Sequence, residues 1–406
     1  MKSHSRIGSV PPCLLSFAMF WLSWDCASQK ASAAENAGAR PVSAIKTSYY
    51  QIAEHLDLGG NAYFYLSTEH FLTGVSDKIS SLREFVTNVR GLPPGDRALA
   101  NQGFDIATRL VKNCGVEQIS GVGMSSVKAA EGLYRNKFMI HHYPGNNEGY
   151  LWSVMGEKPH AFPGIDFLPA NTAYATFSDF KAGQLWQIIR SELARSGIPE
   201  ALEFLEEFPE ALEQETGLSL DQILQSLDDE FGFVITLDPN KKMALPLPSP
   251  TPIEIPEPGL MLIIKVNDSV LFDKIDETLT LTNPEVVKVD ESGLKMSSMK
   301  LPPPIPASLT VALSGDYLFL SSSDALVREA LAVKSGERPG LKSTTEFQEL
   351  AGGITLEGNH FSFASERLTT AIIDMQKAVM ANSGQSLGVA EAFIARAQSQ
   401  RGRSLA

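Results

Sequence analysis

Long hydrophobic runs are missing from this chain of 406 residues once its first two dozen positions are passed. A bilayer-spanning helix needs about 20 consecutive apolar residues, so no span is expected beyond the N-terminus. Cysteine is scarce: Cys13, Cys26 and Cys114 are all there is. Basic residues are short as well, 34 Lys and Arg against 47 Asp and Glu, a formal charge of −13. Such a surface repels phosphate backbones and anionic headgroups, which disfavours nucleic acid as a partner.

The usual signatures of chemistry are missing too. There is no H-E-x-x-H, no G-x-S-x-G, no G-x-x-x-x-G-K and no C-x-x-C. "GVGMSS" from Gly121 is half of a dinucleotide loop, but Ser126 stands where the third glycine belongs and no helix start follows to hold a pyrophosphate. The S-x-x-K spacing of penicillin-recognising enzymes occurs at Ser125/Lys128. It recurs at Ser43/Lys46, Ser178/Lys181, Ser292/Lys295 and Ser297/Lys300, without S-D-N or K-T-G, which marks it as chance. No catalytic, cofactor-binding or metal-ligating residue is assigned, and no cofactor is expected.

What is present begins with an address. Lys2 and Arg6 precede the apolar run Cys13 to Trp24, and Ala31-Ser32-Ala33 gives a small-residue cleavage site before Ala34. Residues 1–33 therefore read as a secretory signal, and the mature chain as periplasmic or secreted. Cys26 leaves lipidation as an alternative, although Ser23-Trp24-Asp25 before it lacks the small residues that lipid attachment favours. Cleavage removes Cys13 and Cys26, so Cys114 has no disulfide partner. In "VKNCGVE" it reads as a half-buried structural thiol. Residues 34–45 form a small, polar, flexible lead-in.

From Tyr49 onward one phrase recurs: a short alternating strand, a hydroxyl or Asx residue, then a helical pattern. "NAYFYLSTE" leads into Leu72, Val75, Ile79, Leu82 and Val86, which share one helix face. "NTAYATFSD" leads into Leu185, Ile188, Ile189 and Leu193, and "NHFSFASER" into Leu368, Ile372, Met375 and Val379. "DYLFLSSSD" and "LIIKVNDSV" say the same. The residue at the junction can cap the helix by accepting a free N–H of its first turn. Between these units, "NKFMIHHYPGNNEGYLWSVMG" reads as two strands around Pro144 to Asn147, and "SLTVALSGDYLFLSS" as a hairpin turning at Ser314-Gly315-Asp316.

Hairpins make antiparallel neighbours. The expected class is α+β, with antiparallel or mixed sheets and strand-then-helix units packed on one face. Two modules are expected, 46–165 and 166–406. The order strand, helix, helix, meander over Tyr49 to Met155 returns over Asn171 to Val266, which suggests an internal duplication. A helical region over Pro199 to Glu230 should kink or divide at Pro209. Its glutamates, Glu200 to Glu215, read as the solvated side of an amphipathic helix whose apolar side is Leu202, Leu205, Phe208 and Leu212. The proline-rich stretches 245–258 and 301–306 read as exposed, stiff connections.

Histidine is the remaining candidate for a site. His141 and His142 adjoin on a strand and so face opposite ways, which prevents a shared metal. Both read as structural, with a site assembled with His160 or Tyr143 left open.

Over "VEQISGVGMSSVKAAEGLYRNKFMIHHYPGNNEGYLWSVMGEKPHAFPGIDFLPANTAYATFSD", with its "GMSS" strand, "YRNK" strand, "GYLW" return and "LPANTA" strand, the chain resembles an uncharacterised family of exported bacterial envelope proteins. "GDYLFLSSSDALVREAL" and "LKSTTEFQEL" extend the resemblance over most of the mature chain. It implies an envelope location and a duplicated α+β fold, and brings no catalytic residue. The expected function is that of a non-enzymatic binding or scaffold protein for an envelope protein or an apolar ligand, carried on a sheet surface bearing Tyr63, Tyr65, Tyr174, Tyr317 and Phe319. A hydrolase with a histidine site on the 137–155 hairpin is the first alternative. A structural envelope component acting through its proline-rich loops is the second.

Overall fold

The computed structural model describes residues 48–72, 74–89, 91–130, 133–142, 149–156, 158–244, 254–291, 293–302, 307–383 and 404–405. The signal, the lead-in, Ala31, Ala33, Ala34 and Cys26 lie outside them. The first strand arises from the alternation in "AYFYLS", β1 (Ala62–Ser67), preceded by α1 (Ser48–Ala53) and followed by α2 (Glu69–Leu72). The heptad-like stripe after it forms α3 (Val75–Thr87), and Pro93 and Pro94 open α4 (Pro94–Cys114). Gly115, at φ 87°, ends α4 in the left-handed conformation that glycine adopts without strain. The chain then enters β2 (Ile119–Ala130) and β3 (Leu133–His142). These build a three-stranded antiparallel sheet in the order β1-β2-β3.

The expected second strand after His142 does not form. Tyr150–Ser153 is a helical turn, α5, and β3 pairs backward with β2. A three-residue aromatic and apolar run, Tyr150 to Trp152, supports helix as readily as strand, because periodicity cannot decide over so short a stretch. The residues 143–148 lie outside the described set.

The chain continues through β4 (His160–Ala161), a 3-10 turn at Pro163–Phe167, β5 (Thr172–Asp179), α6 (Ala182–Ser196), α7 (Pro199–Thr216), α8 (Leu220–Ser226), β6 (Leu227–Ala244) and β7 (Glu254–Val266). Next come α9 (Val270–Thr282), β8 (Val287–Glu291), β9 (Leu294–Lys300), β10 (Ser308–Ser314) and β11 (Tyr317–Ser321). Last are α10 (Asp324–Lys334), α11 (Thr345–Ala351), β12 (Glu357–Gly358), β13 (His360–Ala364), α12 (Glu366–Ser383) and β14 (Ser404–Leu405). Nine strands form one sheet in the order β14-β13-β5-β6-β7-β11-β10-β9-β8, and β12 pairs with β4 alone. Every pairing among the described residues is antiparallel, so the class is α+β and the mixed alternative falls away.

Strand parity sorts the core of the large sheet. Phe177, Val234, Ile263, Phe319, Ala312 and Phe363 face one side, where α10, α11 and the Pro163–Phe167 turn cover them. Val311, Leu318 and Val266 face the other, under Phe272 and Leu279 of α9. The expected one-sided arrangement of helices is thus corrected: α9 packs behind α10, because adjacent residues of β10 and β11 are both apolar and both need cover.

Three further expectations change. The helical region ends at Ser226, and 227–230 open β6. Pro209 lies inside α7 without dividing it, where Phe208 packs on Trp186 of α6 with ring centroids 5.6 Å apart. Pro256 and Pro258 stand in β7 rather than in a loop, paired with Lys242 and Leu237 of β6. β11 accompanies β7 only as far as Met261, so these prolines sit where β7 is an edge strand and a missing N–H breaks no ladder. Residues 245–253 and 303–306 fall outside the described set. The glutamates of α7 are all exposed, as the amphipathic reading has it. The segments β1-α3-α4-β2-β3 and β5-α6-α7-α8-β6-β7 share an order of strands within their sheets, which is common topology and does not establish duplication.

Capping is mixed. Ser323 accepts from Leu326 N at 3.2 Å and Ser365 from Leu368 N at 3.3 Å, both starting helices as expected. Ser178 does not: it stays in β5 and shares a 2.6 Å hydrogen bond with His360 Nδ1, leaving α6 without a side-chain cap.

Candidate functional site

The two faces of the three-stranded sheet differ. One is closed by α1, whose approach depends on glycine. A Cβ at Gly123 would lie 2.2 Å from Ile52 Cγ2, and one at Gly121 would lie 2.9 Å from Ile52 Cδ1. Two adjacent same-face positions without side chains let Ile52 and Leu56 sink onto the backbone of β2, and these two are buried. Polar contacts pin the same face. Asp57 accepts from Arg135 Nε and Lys137 Nζ, both at 2.8 Å, and its N–H donates to Ser125 Oγ at 3.0 Å. Those cations, Lys137 first, hold the Asp57 carboxyl below the usual carboxylate range. Ser48 Oγ and Tyr65 Oη share a hydrogen bond of 2.7 Å.

Among the described residues nothing is packed over the other face. Registers Phe64↔Met124↔Phe138 and Leu66↔Val122↔Ile140 put six apolar side chains together on the side away from α1. Phe64 is 50% exposed, Leu66 51%, Met124 40%, Phe138 57% and Ile140 38%. Scattered exposed apolar residues are ordinary, whereas these six are contiguous on one sheet face. Parity corrects the expected residues. Tyr63 and Tyr65 lie on the α1 side, where Tyr65 packs on Tyr49 while Tyr63 stays 37% exposed; Tyr317 and Phe319 are buried in the large sheet, and Tyr174 lies against Phe233 with ring centroids 6.4 Å apart. The most open apolar residues of β1 are the alternate ones, Phe64 and Leu66. A single strand cannot tell its two faces apart until a helix has chosen one.

The adjoining helices carry the same character. No residue of α4 is buried, and in α3 only Ser76 is. Leu82, Phe85 and Leu99 are exposed. This hairpin is tied to the rest through polar contacts at α6. Arg109 Nε donates to Glu192 at 2.6 Å, Asn113 Nδ2 at 2.9 Å, and Tyr150 Oη at 2.6 Å. Burial opposes the charge of Glu192, but these three donors outweigh it and hold the carboxyl below its usual range.

Among the described side chains, His141, His142 and His160 have different partners. His141 Nδ1 shares a 2.6 Å hydrogen bond with Ser120 Oγ on the α1 side, and burial pushes its pKa down. Ser120 is 2% exposed, which closes it to a substrate. His142 turns the other way and stacks on Trp152 at 4.5 Å. Tyr143 lies outside the described residues. His160 joins a different cluster on the large sheet. Its Nε2 meets Asp179 at 2.8 Å, and Asn359 Nδ2 donates to Asp179 at 2.7 Å. Nearby, Gly164 N–H donates to the buried Glu230 at 2.9 Å. Burial works against a charged His160 ring, yet Asp179 outweighs it and the pKa rises; burial also pushes the Glu230 carboxyl up. These contacts strap the 158–168 segment onto the sheet. An open cleft of about 1240 Å³ lies beside it, lined by Phe167, Lys265, Tyr317, Arg328 and Lys334 among others. Three of its cations are met by neighbouring acids: Lys265 pairs with Asp228, Lys334 with Asp166 and Arg328 with Glu291. Cys114 is half-buried and donates to Val111 O at 3.2 Å.

Among the described residues no group of three or more His, Cys, Asp or Glu side chains is placed to hold a metal, and no helix is long and apolar enough to cross a membrane. Compared with known proteins, the chain matches no family model, no curated protein and no solved structure.

Proposed function

We propose that this is an exported, non-enzymatic binding or scaffold protein that holds a partner protein or an apolar ligand against the bare face of β1-β2-β3. One observation carries the reading: Phe64, Leu66, Met124, Phe138 and Ile140 form a contiguous apolar patch on a sheet whose opposite face is already closed by α1. Sheets shed the cost of such a face by packing it against a second layer. The periplasmic or secreted location rests on the basic start, apolar run and Ala31-Ser32-Ala33 site of the first 33 residues. The acidic balance of the chain favours protein or neutral apolar partners over nucleic acid.

A photoreactive phenylalanine analogue placed at position 138, with position 206 of α7 as the control, tests the surface in cells. An adduct of defined mass at 138 and none at 206 is the expected result. Equal labelling at both, or none at 138, removes the reading. N-terminal sequencing of the protein recovered outside the cytoplasm should begin at Ala34.

A further inference from the structure

The bare face raises the question of what covers it, and charge separates the candidates. Region 48–155 has ten acidic residues against nine basic ones, close to balance. Region 156–406 has 35 acidic against 20 basic, an excess that accounts for all of the net negative charge of the chain. On the face itself the register adds a single ionic residue, Lys128, opposite Tyr134 at one end. An anionic membrane surface would be repelled by the acidic remainder and offered almost no cation by the patch. A cationic partner would find its carboxylates in the wrong region. The surface suits an equally uncharged, equally flat apolar layer.

We infer that the occupant is a second copy of this chain, the two β1-β2-β3 sheets packing face to face about a two-fold axis; this rests on the reading of that face as a docking surface. A two-fold brings the same patch to itself, so Phe64, Met124 and Phe138, which form a row across the strands, meet the same row of the other copy. Sheets stack about 10 Å apart with side chains interdigitating, a spacing that large side chains such as Phe and Met fill. The surfaces that meet belong to the near-neutral region and carry little charge to repel each other. Half-exposed rings and aliphatic chains of this size offer on the order of 500 Å² per copy and so about 1,000 Å² in total, the lower limit of a specific interface. The dimer is therefore expected in the micromolar range.

Sedimentation equilibrium on the mature chain, residues 34–406, between about 1 and 100 μM supplies the test. The expected result is a monomer–dimer equilibrium that Phe138→Glu weakens at least tenfold and that Phe204→Glu, an exposed control on α7, leaves unchanged. If Phe138→Glu loses the circular dichroism of the parent, Phe64→Gln takes its place. A monomer at every concentration overturns the inference, as does a dimer indifferent to both Phe138→Glu and Phe64→Gln. A monomer that still yields the adduct at position 138 in cells, at the mass of another molecule, sinks the second copy and spares the docking surface. Loss of both the dimer and the adduct sinks both.

Discussion

Region 48–155 and region 158–383 both set large apolar residues along antiparallel strands and pack them in different ways. The later region contributes both apolar clusters of the protein, with Phe177, Phe319 and Phe363 fully enclosed between sheet and helix. The earlier one contributes Ile52, Leu56 and Val154 to the buried set, while Phe64, Phe85 and Phe138 stay open. Hydrophobicity is therefore not what separates them. The large sheet has cover on both faces and the small sheet, among the described residues, on one.

The sharpest way to break this comparison is to remove one ring from each region. Phe319→Ala should cost about 3–5 kcal/mol in urea unfolding, through lost transfer energy and the cavity left behind. Phe138→Ala, in the monomer, should change stability by no more than about 0.5 kcal/mol, as surface substitutions usually do. Equal losses would show the small sheet to be closed in solution. The glycines sharpen the same point at smaller scale. A Cβ at Gly232 would lie 2.3 Å from Phe177 Cε1, and one at Gly123 lies equally close to Ile52. Gly232→Ala should cost roughly 1–3 kcal/mol by overpacking. Gly123→Ala should cost less, because a single-turn helix on an open sheet can lift where Phe177 cannot, and its mark should be faster amide exchange in α1 alone.

The polar ties of the two regions should fail at opposite ends of the pH scale. The pKa of Glu192 is lower folded than unfolded, so its contribution is present above about 4.3 and is lost as pH falls through the folded value. Glu192→Ala should remove roughly 1–3 kcal/mol by leaving Asn113 and Tyr150 without their acceptor, and should flatten the acid limb of the stability curve. His160 and Glu230 have raised values, so their contributions are present at low pH. That of His160 fades as pH rises past about 6.5 and through its elevated value, and that of Glu230 as pH rises past about 4.3. Proteolysis within 158–168 should accordingly quicken toward alkaline pH, and His160→Gln should blunt that rise. The smallest effect belongs to α7, where Glu206→Gln, at an exposed position, should stay within about 0.5 kcal/mol.

How far the sequence could be read differed by feature. The hairpin at Gly315 was legible because turn chemistry is local, and so were the caps at Ser323 and Ser365. At Ser178 the same grammar misled. His360, 182 positions away, claims the hydroxyl that a cap would have used. The strand after His142 failed because a short aromatic run suits two conformations. The open sheet face was half legible: an aromatic sheet surface free of helices was expected, but Tyr65 was named, which packs toward α1, where Phe64 and Leu66 lie more open. A shift of one position inverts a strand, and only the packing of α1 on Gly121 and Gly123 decides which set is covered.

By itself, the amino-acid sequence determined the class of the fold, the amphipathic helices, the solvated glutamates of α7 and the lack of a recognisable catalytic motif, since each depends on neighbours a few residues apart. Tertiary structure alone decided that all strands after Asp179 but the small β12 join a single broad sheet, that helices cover both of its faces, and that one face of the small sheet is left bare. Those outcomes depend on contacts between residues far apart in the chain, where closure of long loops and the filling of space, rather than local preference, select the arrangement.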